Sequence, residues 1–242
     1  ANAASLDLIE IDLSWTSDSQ LVCLHDWDAP FLAVDGVAPA GPLPLADVMS
    51  RATKSAGFTP CTLETLTAWM RDHPKVRIVL DLKTGALDAY DWIGRTYPDL
   101  RPRFVPQVYQ PEEYRPVRDM GFPDVIWSLY QYQGDAEAVL KALDRMDVLG
   151  LAMPPERLDA GRARRARDAT GVLSWVHTLN TEAELADALQ AGAAEIFTDG
   201  LKPGPVARFE ATSSGYESGE SSLRGAAGDP LPLGRGLNLT AL

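Results

Sequence analysis

The sequence predicts an α/β fold: a (β/α)8 TIM-barrel-like domain with its first strand and helix missing and an accessory β-hairpin strand added. Three observations predict it. Short apolar segments with strand character recur along the chain, helical patterns separate most of them, and 242 residues suit one barrel, since barrels run to about 250 residues.

In chain order the predicted strands are Leu8–Leu13, Leu21–Leu24, Val76–Leu82, Phe104–Val108, Val125–Leu129, Val148–Met153, Val172–Val176 and Ala194–Thr198. Thr62 reads as the cap of a helix whose apolar stripe is Leu63, Leu66 and Met70, and Pro111 with Glu112 and Glu113 reads as a helix first turn. Ala136, Val139, Leu140 and Leu143 form another stripe. A helix opened by Thr181, Glu182 and Glu184 runs through Leu185 and Leu189 to a stop at Gly192. Ser14 to Gln20 is too short for a parallel crossover, which needs about a dozen residues, so the first two strands are expected to pair as an antiparallel hairpin. Setting the second strand aside leaves seven parallel strands, one short of a closed barrel. The resulting open seam is expected to favour self-association. The stretch from Trp27 to Gly57, rich in Pro, Gly and Ala, reads as a long loop on the rim. Beyond Ala207 the Ser-, Gly- and Glu-rich text loses periodicity, so the expected division is a barrel domain over 1–206 and a flexible tail over 207–242.

Composition narrows the function. With 22 basic against 34 acidic residues the chain carries a formal charge of −12, which argues against nucleic acid as a partner and means that an anionic ligand needs local cations. No apolar run approaches a membrane span, so no integral membrane segment is expected. The compartment stays open: cytoplasmic, or secreted after removal of a segment upstream of Ala1. Cys23 and Cys61 have neither zinc-site spacing nor the look of a disulfide framework, and both read as buried small apolar residues.

The chemistry concentrates on two strands. Glu10 and Asp12, two apart among apolar residues, share one face of a strand while Ile9, Ile11 and Leu13 take the other. Asp81 and Lys83 repeat the spacing at the end of a second apolar strand. Barrel strands deliver their C-terminal ends to the active site, so Glu10, Asp12 and Asp81 are candidate hard oxygen ligands for Mg2+ or Ca2+. Lys83 is a point charge for an anionic oxygen, with a plain Asp81–Lys83 ion pair as the alternative. His25 ends the hairpin strand beside the acids and is the candidate general acid or base. Trp175 and His177 share a face of a late strand, and His73 reads as a surface residue at a helix end.

The ordered run Glu10-Ile11-Asp12, Thr16, Asp18, Val22 and His25-Asp26 resembles the E-x-D, T-x-D-G, V-x-x-H-D signature of the glycerophosphodiester phosphodiesterase superfamily. Asp81-Leu82-Lys83 sits where that family has E-x-K, His177-Thr178-Leu179-Asn180 resembles W-T-V-N, and Ile196-Phe197-Thr198-Asp199 resembles the closing I-x-T-D. The resemblance spans about residues 5 to 205. It implies metal binding by Glu10, Asp12 and Asp81, proton transfer by His25, and substrate contact by Lys83, Gln107, Trp175 and His177, with a small anionic phosphodiester as substrate.

Two departures matter. Asp81 stands where family hydrolases usually carry Glu, and with Gln107-Val108-Tyr109 and Trp127-Ser128-Leu129-Tyr130 it looks more like the bacterial phosphatidylinositol phospholipase C-like branch. The family's leading strand with H-R-G or H-A-G precedes the first residue here, so catalysis is expected to be impaired in this chain. A non-catalytic phosphate- or phosphosugar-binding barrel is the rival. A phosphosugar isomerase would want a glycine-rich loop that Thr198-Asp199-Gly200-Leu201-Lys202-Pro203-Gly204 matches only faintly.

Overall fold

A computed structural model describes residues 8–28, 36–55, 61–201 and 238–239. The chain runs through β1 (Leu8–Trp15), β2 (Leu21–Cys23), α1 (Leu45–Ser55), α2 (Leu63–Asp72), β3 (Arg77–Asp81), α3 (Ala86–Thr96) and β4 (Phe104–Val108). It continues through α4 (Pro111–Asp119), β5 (Ile126–Ser128), α5 (Ala136–Leu143), β6 (Gly150–Met153), α6 (Ala160–Thr170), β7 (Ser174–Val176), α7 (Glu182–Gln190), β8 (Glu195–Phe197) and β9 (Asn238–Leu239). The strands form one sheet in the order β2-β1-β3-β4-β5-β6-β7-β8-β9, parallel throughout except for the β1–β2 pair.

The hairpin forms as the short connection requires, with Leu13 opposite Cys23 and Trp15 opposite Leu21. Its turn is held locally. Thr16 Oγ1 donates to Asp18 Oδ1 at 2.6 Å and accepts from Gln20 N at 2.8 Å, while Asp18 Oδ1 also accepts from Leu45 N at 3.0 Å. Helix starts follow the polar signals: Thr62 accepts from Thr65 N, Asp135 from Ala138 N and Thr181 from Glu184 N, each satisfying a first-turn donor that has no partner inside its helix.

Alternation along the strands sorts the side chains. Ile9, Ile11, Ile78, Leu80, Phe104, Val108, Trp127, Leu151, Met153, Val176 and Ile196 point outward into the layer beneath the helices. Leu8, Val79, Val105, Ile126, Ala152, Trp175 and Phe197 point inward and fill the barrel floor. Burying each large apolar side chain stabilises the fold by about 1.5–3 kcal/mol. The floor is tight at one place, where a Cβ on Gly150 would lie 2.6 Å from the Trp175 indole, so β6 carries glycine there.

Two expectations change, and a third falls almost wholly outside the described residues. The Trp27–Gly57 stretch is not all loop, because Leu45–Ser55 form α1; residues 29–35, 56 and 57 lie outside the described ones. Cys23 and Cys61 are not separate buried thiols: they form a disulfide with a Cα–Cα distance of 5.2 Å across 38 residues. A pairing so distant in sequence has no local signature, and its geometry appears only when β2 lies against the start of α2, where Cys23 N donates to Cys61 O at 2.8 Å. Of the segment 207–242, Asn238–Leu239 pair with β8 as a strand the sequence reading did not contain, and the rest lies outside the described residues.

Closing a loop of that length removes about 4 kcal/mol of unfolded-state entropy in the chain-entropy view. Reduction, or the double change Cys23→Ser with Cys61→Ser, is expected to destabilise the chain by about 2–4 kcal/mol, read as a lower denaturant midpoint. An unchanged midpoint would contradict a bond that contributes to the fold.

Candidate active site

Parity and register together build the site. Directly above the apolar floor, the next inward positions on β1 and β3 are acidic. Asp12 and Asp81 are register partners on these neighbouring parallel strands, and Glu10 stands two residues below Asp12 on the same face. One oxygen from each of Glu10, Asp12 and Asp81 falls within 4.8 Å of the other two. Lys83 reaches back to this cluster, with Nζ donating to Asp81 Oδ2 and lying 3.5 Å from Asp12 Oδ1.

Tyr109, the inward residue just past β4, completes the arrangement. Its hydroxyl donates to Asp81 Oδ1 at 2.5 Å and accepts from Lys83 Nζ at 3.0 Å, and Gln107 Nε2 lies 3.4 Å from it. The ammonium also sits 5.6 Å from the Tyr109 ring centre and 6.0 Å from that of Tyr130, where a cation is attracted to the aromatic face.

Electrostatics follow from crowding. Burial, then the charges of Asp12 and Asp81, push the Glu10 carboxyl well above its ordinary range. Asp12 is raised too, first by burial and then by Asp81, with Lys83 and His25 pulling the other way. Burial works against the Lys83 charge, but the carboxylates of Asp81, Asp12 and Glu10 outweigh it and hold the ammonium above its usual range. Burial and the adjacent Asp81 carboxylate raise the Tyr109 phenol, which stays a neutral donor. The residues present fit a divalent cation: three hard oxygens converge, and a cation among them would offset the burial and the neighbouring charges that raise Glu10.

His25 stands at the rim. The backbone bond from Leu24 N to Asp12 O, at 3.1 Å, brings the end of β2 beside the acids, and the exposed His25 ring places Nδ1 2.9 Å from Asp26 Oδ2. Trp175 lies in the floor, and His177 stands above it on the same face, its ring 6.0 Å from Tyr130 and 6.0 Å from Phe197. Burial keeps His177 below the usual imidazole range and therefore neutral. Trp175 Nε1 and His177 Nε2 are buried with no hydrogen-bond partner among the described residues; Trp175 Nε1 is packed in the floor against Gly150, whereas His177 stands above that floor. His73 lies away from the site, stacked on Trp69 at 4.1 Å with Nδ1 2.8 Å from Trp69 O.

The sequence reading did not assign Tyr109 to the site, although it shares the parity of Gln107 and so was within reach of the alternation argument. It also missed the clamp at Asn180, whose Oδ1 accepts from Thr198 Oγ1 at 3.1 Å and Asp199 N at 2.8 Å, joining the segments after β7 and β8. Thr198 Oγ1 accepts in turn from Leu201 N at 3.0 Å, so the described part of the faintly glycine-rich loop is occupied by this clamp; Lys202–Gly204 lie outside the described residues.

No protein-family model matches the chain, and no curated protein matches it. Solved structures do. A protein of Galdieria sulphuraria assigned as a glycerophosphodiester phosphodiesterase aligns at a TM-score of 0.60 and 18% identity over 78% of this chain and 80% of that one. A glycerophosphoryl diester phosphodiesterase from Parabacteroides distasonis aligns at 0.59 and 17% over 79% and 71%. A glycerophosphodiester phosphodiesterase from Agrobacterium tumefaciens aligns at 0.56 and 16% over 80% and 84%. At these identities the likeness is one of fold: the chain has the TIM-barrel-like architecture of these proteins.

The raised carboxyls carry a sign that can be measured. Glu10 and Asp12 hold protons in the folded chain at pH values where the unfolded chain has lost them, so stability without metal falls as pH rises from the ordinary carboxylate range through the raised one. Glu10→Gln removes this cost. In chelator at neutral pH the variant is expected to melt above the wild type, with the difference closing near about pH 4. Equal melting curves at both pH values would show that the triad is not mutually repelling.

Proposed function

We propose that the chain is a metal-dependent phosphodiesterase cleaving glycerophosphodiester-type or phospholipid head-group phosphodiesters. The observation that carries this reading is the convergence of Glu10, Asp12 and Asp81 within 4.8 Å beside one persistent ammonium, Lys83, at the strand ends of a barrel shared with phosphodiesterases. Hard oxygen ligands suit Mg2+ or Ca2+. When bound, such an ion would polarise a phosphoryl oxygen and lower the pKa of the attacking hydroxyl or water.

The chain's own residues divide the remaining work. Lys83, oriented by Asp81 and Tyr109, neutralises charge on a phosphate oxygen in a protein whose net charge of −12 otherwise repels anions. His25 transfers a proton at the exposed rim. His177 Nε2 offers a donor or an acceptor to the rest of the substrate above the Trp175 floor, and Gln107 supports the Tyr109 hydroxyl.

A second reading, a barrel that binds phosphate without turning it over, is favoured by the supply of imidazoles. Among three histidines, His25 is the one exposed beside the acids, His177 is held neutral by burial and His73 stacks on Trp69. Two-histidine acid/base catalysis would need a partner for His25. The Cys23–Cys61 bond favours an oxidising compartment, because such bonds are rare in reducing cytosol. No described helix is long and apolar enough to cross a membrane.

Turnover of bis-(p-nitrophenyl) phosphate by the full chain with Mg2+ or Ca2+, against a chelator control, tests the proposal. Activity is expected with metal and absent without it. Asp81→Asn should abolish it, and His25→Ala should reduce kcat by about 10²–10⁴. Calorimetry that detects metal and phosphate binding without turnover would favour the second reading, and absence of metal binding would retire both.

A further inference from the structure

We infer that Tyr109 is a positioning residue that hands the Lys83 ammonium from the acids to a substrate phosphate. When a cation takes Asp12 and Asp81, the phenol oxygen keeps the amine in place for the incoming anion. This rests on the proposed reading of the site, in which a cation joins the triad and Lys83 meets a phosphoryl oxygen.

Three hydrogen bonds close a triangle above the triad. Lys83 Nζ donates to Asp81 Oδ2, the Tyr109 hydroxyl donates to Asp81 Oδ1 at 2.5 Å, and the same hydroxyl accepts from Lys83 Nζ at 3.0 Å. With Asp12 Oδ1 only 3.5 Å away, the ammonium is held among the acids. A divalent cation changes the balance. It draws on the carboxylate oxygens that hold the amine, and it repels the amine itself, because like charges a few ångström apart interact unfavourably. A neutral phenol suffers neither effect. Its oxygen therefore remains as an acceptor for Nζ, and an ammonium with three donors can use one there and present the others to a phosphate.

Tyr109 is fixed independently of the groups it serves. The residue is buried, its main-chain N–H donates to Glu113 Oε2 at 2.8 Å, and its carbonyl accepts from Trp127 Nε1 at 3.3 Å. These contacts tie it to the first turn of α4 and to β5, so a cation among the acids leaves them intact. The amine also rests near two aromatic faces, 5.6 Å from the Tyr109 ring centre and 6.0 Å from that of Tyr130. A lysine released from its carboxylates without such a hold would regain the rotamer freedom of a long side chain, which a bound phosphate would have to remove again.

A double-mutant cycle read by calorimetry tests this. The probe is inorganic phosphate, titrated into the full chain already saturated with Mg2+ or Ca2+, the metal's own Kd having been measured for each variant. Tyr109→Phe, which keeps the ring and removes only the hydroxyl, is expected to weaken phosphate binding by about tenfold, and Lys83→Met by at least as much. The double variant should bind phosphate within about twofold of Lys83→Met alone, because the hydroxyl acts through the amine. Additive losses would overturn the inference, since a hydroxyl that served only the fold or touched phosphate itself would still matter without the lysine. Unchanged phosphate binding in Tyr109→Phe, beside a wild type that takes metal and phosphate, would remove the handover and leave the proposed function standing. A wild type that takes neither ligand would remove both.

Discussion

Mutual repulsion among three carboxylates is the constraint around which the rest of the structure is arranged. Buried and held within 4.8 Å of one another, Glu10, Asp12 and Asp81 disfavour full ionisation, first by burial and then by mutual charge, yet Asp12 and Asp81 are paired in register along β1 and β3. The ladder from Leu8 opposite Arg77 to Asp12 opposite Asp81, with the outward Ile9, Ile11, Ile78 and Leu80 packed under the helices, supplies the restraint. Lys83 and Tyr109 answer the charge from above, one with an ammonium and the other with a phenol that donates to Asp81 while accepting from Lys83. A cation arriving among the acids would compete with the Lys83 ammonium for Asp81, which couples the amine's position to the occupancy of the cluster.

The barrel interior is layered to make this tolerable. Below lies a dry floor of Leu8, Val79, Val105, Ile126, Ala152, Trp175 and Phe197; above it the inward positions turn polar at Glu10, Asp81, Gln107 and Ser128. A low-dielectric floor under a charged layer strengthens every interaction within that layer, the attractions of Lys83 and the repulsions of the acids alike.

Much of this was legible in the sequence because it rests on period and parity. Each predicted strand from Leu8–Leu13 to Ala194–Thr198 overlaps an observed one, and the shared face of Glu10 and Asp12 follows from a spacing of two. Caps at Thr62, Asp135 and Thr181 show the same locality, although only the first and last were read as starts. What escaped was nonlocal or weakly patterned. The Cys23–Cys61 bond needs β2 against α2, α6 is an arginine-rich helix with few apolar residues, and β9 is two residues long at the end of a low-complexity stretch. Tyr109 was visible by parity, but its importance comes from lying across β4 from Asp81, a neighbour relation that only the folded sheet provides.

The bond between Cys23 and Cys61 has a bearing on how the molecule would behave in different hands. Cys23 stands two residues before His25, so the rim imidazole hangs from a strand tied by covalent attachment to the helix that follows the long loop. Material matured in a reducing cell would share every residue and most of the sheet with material matured in an oxidising one, yet present that imidazole on a slacker tether. Two preparations identical by mass, apart from two hydrogens, would then differ in the geometry of the rim, and the cause would lie in the history of the sample rather than in its gene.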